Sequence, residues 1–167
     1  MKNLNVIVIY IFLISIIAYL VYDNGRKDKI VYVDNIELFS GFHMKTELEK
    51  KYKQVEGSRK SILDSIYTEI KIKAGMENTS GDDALNLLKK EFLMKKELFD
   101  KENAETMESY NAQIWNQLNE YTKQYGKEKR YEFILGANGQ GVLMYAEDTK
   151  NVTKELLQFA NTKFNGK

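Results

Sequence analysis

The sequence predicts an α+β protein. A small β head, built from an N-terminal strand and a C-terminal hairpin, carries a long antiparallel helical hairpin as an arm, and an N-terminal transmembrane helix precedes both. Three observations predict it. A short β segment, Ile30-Val31-Tyr32-Val33-Asp34, stands early in the chain. Two alternating apolar segments, 131–135 and 142–146, stand near its end around an Asn138-Gly139 pair, a strong short-range hairpin signal. Almost everything between reads as charged helix, so the middle must leave the sheet and return to it.

Composition fits long helices. The 167 residues contain no proline, which in a helix interior costs roughly 3 kcal/mol. They contain no cysteine, which removes disulfides, thiolate nucleophiles and zinc–thiolate sites together. Basic and acidic residues number 25 and 24, a net charge of +1, and are interspersed as on solvated helix faces. That balance lacks the basic footprint of a nucleic-acid binder.

Residues 5–22 carry no charge and are apolar on every face. As a helix they cover about 27 Å, close to the thickness of the hydrocarbon core. A cleaved signal requires a small-x-small site. Before a cut after Ala18 stands Ile16, and before a cut after Gly25 stands Asp23, so an uncleaved signal or anchor over 1–23 is favoured. Lys2 favours a cytoplasmic N-terminus, whereas Arg26, Lys27 and Lys29 oppose it, and charge alone leaves the orientation open.

Residues 24–29 form a polar linker with Asn24-Gly25. In the strand that follows, Val31 and Val33 alternate with Ile30 and Tyr32, so one face can be buried. Asp34 with Glu37 has capping-box spacing, and Ile36, Leu38, Phe39 and Phe42 supply an apolar shoulder. The first long helix, about 44–73, has a narrow seam of Met44, Leu48, Tyr52, Val55, Ile62, Ile66 and Ile70, with Arg59 filling a gap. Residues 74–83 break the period and read as a loop, after which Asp82 or Asp83 can cap the second helix. That helix, about 84–125, has a seam of Leu85, Leu88, Phe92, Phe99, Met107, Tyr110, Ile114, Leu118, Tyr121 and Tyr125. Glu102, Asn103 and Thr106 interrupt it, and Gly126 is the expected C-cap. Asp148 or Thr149 is expected to cap the last helix, which carries Val152, Leu156, Leu157, Ala160 and Phe164. The resulting division is 1–23 anchor, 24–29 linker, 30–42 with 127–167 head, and 43–126 arm.

Catalytic chemistry finds no foothold. The glycine-rich 136–141 lies between two expected strands and lacks the Lys-Ser or Lys-Thr of a phosphate loop. His43 is the only histidine, too few for a metal site or a triad. Carboxylates sit on helices with no enclosed cleft, so the chain reads as a non-enzyme without metal or cofactor. The sequons at Asn78 and Asn151 are short enough to arise by chance. Trp115, Tyr110, Tyr121 and Tyr125 cluster near the head, either as packing or as a binding surface.

The 29–34 segment followed by Leu38-Phe39, together with 131–135, 142–146 and 151–157, resembles the opening and closing elements of the Skp/OmpH family of periplasmic outer-membrane-protein chaperones. The middle agrees as a charged helical hairpin. The resemblance implies a jellyfish-like homotrimer with a central β head, whose arms enclose a cavity for unfolded outer-membrane proteins without ATP. It also implies a body on the periplasmic side of the inner membrane, anchored by the N-terminal helix or soluble if that is cleaved. Family members are basic, whereas this chain is nearly neutral, so no lipopolysaccharide or membrane-surface site is carried over. Under this reading the head is built by Val31, Val33, Phe133, Leu135, Leu143 and Tyr145. Client contact falls to Ile62, Ile66, Ile70, Leu85, Leu88 and Phe92. The alternative reading is a membrane-tethered coiled-coil scaffold of the cell envelope.

Overall fold

The computed structural model describes residues 10–19, 30–75 and 83–166. The chain is mostly helical with a small two-stranded sheet. After a helical segment at 10–19 come β1 (Ile30–Asp34), α1 (Asn35–Gly41), α2 (His43–Gly75), α3 (Asp83–Lys129), β2 (Phe133–Ala137), a 3-10 turn (Asp148–Lys150) and α4 (Thr153–Asn165). Two compact units result, Met1–Leu38 with Glu120–Phe159, and Phe39–Asn119 with Ala160–Lys167.

Among the described residues no helix is long and apolar enough to cross a membrane. The helical residues 10–19 are exposed, and the flanking apolar positions 5–9 and 20–22 lie outside the described residues.

In the first unit, β1 and β2 pair in parallel, Ile30 with Phe133 through Asp34 with Ala137. This corrects the expected C-terminal hairpin. A parallel pair cannot close through a tight turn and needs a crossover, which here is the whole excursion from α1 to α3. Asn138-Gly139 therefore follows the end of β2 without joining it to a second strand. Gly139 and Gly141 take positive φ of 72° and 89°, and residues 142–146 form no strand. Val31 and Val33 are buried together with Leu38, Tyr121, Tyr125, Val152 and Leu156 of the same unit. On the other edge of β1, Tyr32 bridges to Asn151, and its carbonyl accepts from the N–H of Val152 at 3.0 Å.

The helix ends in this unit follow capping physics, with three changes from expectation. Asp34 caps α1 as its spacing predicts, Oδ1 accepting from the N–H groups of Ile36 at 2.8 Å and Glu37 at 3.0 Å. The return half of the capping box is missing, because the Asp34 N–H instead donates to Oγ1 of the buried Thr153 at 2.8 Å. Asp148 and Thr149 fall in the 3-10 turn, and α4 starts later, where Asn151 Oδ1 accepts from the N–H of Thr153 at 2.9 Å. Gly126 does not end α3. The helix continues to Lys129 and closes in a Schellman motif, with Tyr131 N–H on the Gly126 carbonyl at 2.9 Å and Arg130 N–H on that of Lys127 at 3.3 Å. The residue at the left-handed position is Arg130, φ 62°. Gly126 lies instead inside the helix, facing β2. A Cβ there would sit 3.3 Å from Ile134 Cδ1, a tight contact with the inward side chain of β2.

The second unit holds α2 and α3 as far as Asn119; α2 has 33 residues and α3, counted to Lys129, has 47, about 50 and 70 Å of helix. The chain breaks at Phe42 between α1 and α2. Phe42 is fully buried, edge-on to Phe164 at 5.4 Å between ring centroids. The exposed backbone polar groups at this break are taken up by Asn161 on α4. Its Oδ1 accepts from the N–H of His43 at 2.8 Å, and its Nδ2 donates to the Gly41 carbonyl at 3.1 Å.

Candidate functional site

Two surfaces could carry function, the arm within the second unit and the edge of the head within the first. Along the arm the helices run antiparallel in a constant register. Lys45, Leu48 and Tyr52 share a crevice with Met107, Tyr110 and Ile114. Arg59 meets Glu102 and Asn103, and the rings of Tyr67 and Phe92 lie 6.1 Å apart.

The two gaps in the expected seams are one feature. Arg59 donates to Glu102 Oε2 and Asn103 Oδ1, its guanidinium stands 5.7 Å from the Phe99 ring, and Thr106 Oγ1 donates to the Glu102 carbonyl at 2.6 Å. A polar layer thus crosses the arm, beside a cavity of about 610 Å³ lined in part by Gly57, Leu63 and Phe99. One polar layer in an apolar seam selects a register, because any slip strands its partners.

The residues expected to contact clients divide. Ile66, Ile70, Leu85, Leu88 and Phe92 are half-buried along the hairpin, while Ile62 is exposed. On α2, Leu63 takes the inward place that was expected of Ile62. Facing water is a second stripe on α3, outside the expected seam: Leu87, Met94 and Leu98 are 69%, 55% and 50% exposed. Spacings of seven and four residues put all three on one side of the helix. Ile62 comes level with Leu98, since Arg59 meets Glu102 and Tyr67 meets Phe92. The spacing was visible in the sequence, but the stronger inner period masked it.

Along the head, Val31 and Val33 are buried, Leu143 is half-buried, and Phe133, Leu135 and Tyr145 are exposed. The inward residue of β2 is Ile134, which packs on Gly126. Beyond β2, Val142, Met144 and Tyr145 are 77%, 87% and 82% exposed. The sheet order is β1-β2, which leaves the outer edge of β2 unpaired among the described residues.

The aromatic cluster is packing. Trp115 stacks on Phe39 at 5.2 Å in the second unit, and Tyr121 and Tyr125 are buried in the first. Burial pushes the Tyr125 hydroxyl up to about 12, helped by the neighbouring Tyr131 and Glu155. His43 is exposed, its Nδ1 within 3.2 Å of the Asn165 side chain. Among the described residues no group of acidic, histidine or cysteine side chains is placed to hold a metal ion.

A family model described as "Outer membrane protein (OmpH-like)" matches residues 29–159. The fold is similar to a crystal structure of a proposed outer membrane chaperone (OmpH-like) from Caulobacter crescentus CB15. The TM-score is 0.51 at 14% identity, covering 81% of this chain and 85% of that one. No curated protein matches the sequence.

Proposed function

This chain belongs to the OmpH-like outer membrane protein family, and from that membership and the two surfaces above we propose that it is an ATP-independent holdase for unfolded outer-membrane proteins. The observation that carries the reading is the stripe Leu87, Met94 and Leu98, apolar side chains held in water along a rigid helix. A soluble chain does not keep such a stripe exposed without cost, and an unfolded apolar segment is a fitting occupant. Contacts of this kind are individually weak and non-directional, so they suit many clients and release them without nucleotide. Seam residues Ile66, Ile70, Leu85, Leu88 and Phe92 hold the arm, and Ile62 extends the stripe.

The holdase is a homotrimer in this reading. Support comes from the unpaired edge of β2, with Phe133 and Leu135 beside it, and from the exposed Val142, Met144 and Tyr145. A free strand edge is a template for another chain, and a closed ring of copies removes it. Residues 30–42 with 127–167 then serve as the association region and 43–126 as the arm. The apolar stretch 5–22 supports attachment to the inner membrane with the body in the periplasm. Activity as an enzyme, a metal or cofactor, and nucleic acid have no part in this proposal.

The near-neutral charge favours a second reading, a membrane-tethered scaffold that binds one folded envelope partner. Dilution of a urea-unfolded outer-membrane barrel into the protein, with the masses of the species measured in the same sample, separates the two. A holdase keeps the barrel soluble in a complex with three copies. A trimer beside an aggregated barrel favours the scaffold.

A further inference from the structure

The geometry points to a self-modification site in the head: we propose that Asn138 deamidates through a succinimide while the protein is folded. The bond to be made joins the backbone nitrogen of Gly139 to Cγ of Asn138, and the bond to be broken is Cγ–Nδ2. The Gly139 N–H proton passes to solvent, and Nδ2 leaves as ammonia after taking a proton. Water then opens the ring at either carbonyl, giving aspartate or isoaspartate.

Four features of this loop favour the step. The Gln140 N–H donates to Asn138 Oδ1 at 3.0 Å. Such a turn folds the carboxamide back over the following peptide, and Oδ1 is the atom on which negative charge develops during attack, so the donor is already aimed at the oxyanion. Among the described residues no hydrogen bond engages the attacking Gly139 N–H or the leaving Nδ2. Gly139 is exposed, and apart from its chain neighbours no atom lies within 4 Å of where a Cβ on it would be, so that side of the reacting peptide is open. Residues 138–147 belong to no helix or strand, leaving the backbone free to close the ring.

Asn165-Gly166 supplies an internal contrast with the same dipeptide. There the Gly166 N–H is held by the Thr162 carbonyl at 3.1 Å, and the Asn165 side chain is engaged with His43 Nδ1. The dipeptide is the same, and the contrast lies in these contacts. Conversion at Asn138 moves the net charge from +1 to zero. As isoaspartate it also adds a methylene to the backbone directly after Ala137, the register partner of Asp34.

The full chain is incubated at neutral pH and body temperature, then digested with trypsin and followed by mass spectrometry. The peptide from Tyr131 to Lys150 carries the site. The expected result is conversion at Asn138 in the folded protein at least as fast as in the free 131–150 peptide, with Asn165 lagging about tenfold until urea unfolds it. Gln140→Pro, which removes the donor N–H, slows Asn138 by about tenfold or more. A folded protein slower at Asn138 than the free peptide overturns the proposal, as does a Gln140→Pro variant that matches the parent rate.

Discussion

The side chain of Asn161 stands in for a missing turn of backbone at His43, accepting from its N–H at 2.8 Å while donating to the Gly41 carbonyl at 3.1 Å. The long helix therefore begins on a hydrogen bond from the far end of the chain, beside the buried Phe42–Phe164 contact. Removing Asn161 leaves one donor and one acceptor to water. Asn161→Ala is expected to lower stability by about 1–2 kcal/mol, read from urea unfolding followed by circular dichroism. Asn161→Asp keeps only the bond from His43 and should fall between.

Arg130 holds a left-handed conformation for which it has no steric preference. Glycine suits the position after a Schellman closure, at some entropic cost in the unfolded chain. Arg130→Gly is expected to raise stability by about 0.5–1 kcal/mol, seen as a higher melting midpoint with an unchanged spectrum. A loss of stability would mean that the Arg130 side chain makes contacts worth more than the strain.

The polar layer makes a graded prediction. Arg59→Leu alone leaves Glu102 and Asn103 without their partner and should cost about 1–2 kcal/mol, discounted because Glu102 is 40% exposed. Arg59→Leu with Glu102→Leu and Asn103→Leu should recover that loss, because an apolar layer needs no partner. The recovered arm should nonetheless exchange its amides faster near Gly57, having lost what fixed its register.

Tyr125 predicts an alkaline limit. Its folded pKa is about 12, raised from 10.0 chiefly by burial. Below pH 10 both folded and unfolded forms keep the proton, and the stabilising difference is fully present. As pH rises from 10 through 12, the unfolded chain loses the proton while the folded one holds it, so stability falls. Tyr125→Phe should flatten the decline over that window, measured as melting midpoint against pH.

Much of the fold was legible because helical periodicity is local. The α3 seam from Leu85 to Tyr125 and the Asp34 cap could be read from spacing, and the breaks at Arg59 and Glu102–Asn103 already marked the polar layer. Pairing partners were not legible in the same way. Residues 131–135 and 142–146 alternate as a hairpin should, yet β2 pairs with a strand about a hundred residues away, and no local pattern encodes that choice. The helix end was misplaced for a related reason. Gly126 has the residue type of a terminator, but it lies inside the helix against Ile134, and the left-handed position falls to an arginine. On the arm, seam and stripe share one helix, and periodicity says which residues lie on one side but not which side meets the other helix.

In the proposed holdase, client binding resides in the exposed stripe and not in the seam. The most direct test replaces Leu87, Met94 and Leu98 together with glutamine, a good helix former that removes the apolar surface without breaking the helix. Aggregation of a urea-diluted outer-membrane barrel is then followed by light scattering against the parent protein. Loss of protection with helix content and melting midpoint unchanged is the predicted result. Full protection by the stripe variant, or its loss only in a seam variant such as Leu88→Gln at unchanged stability, would contradict it.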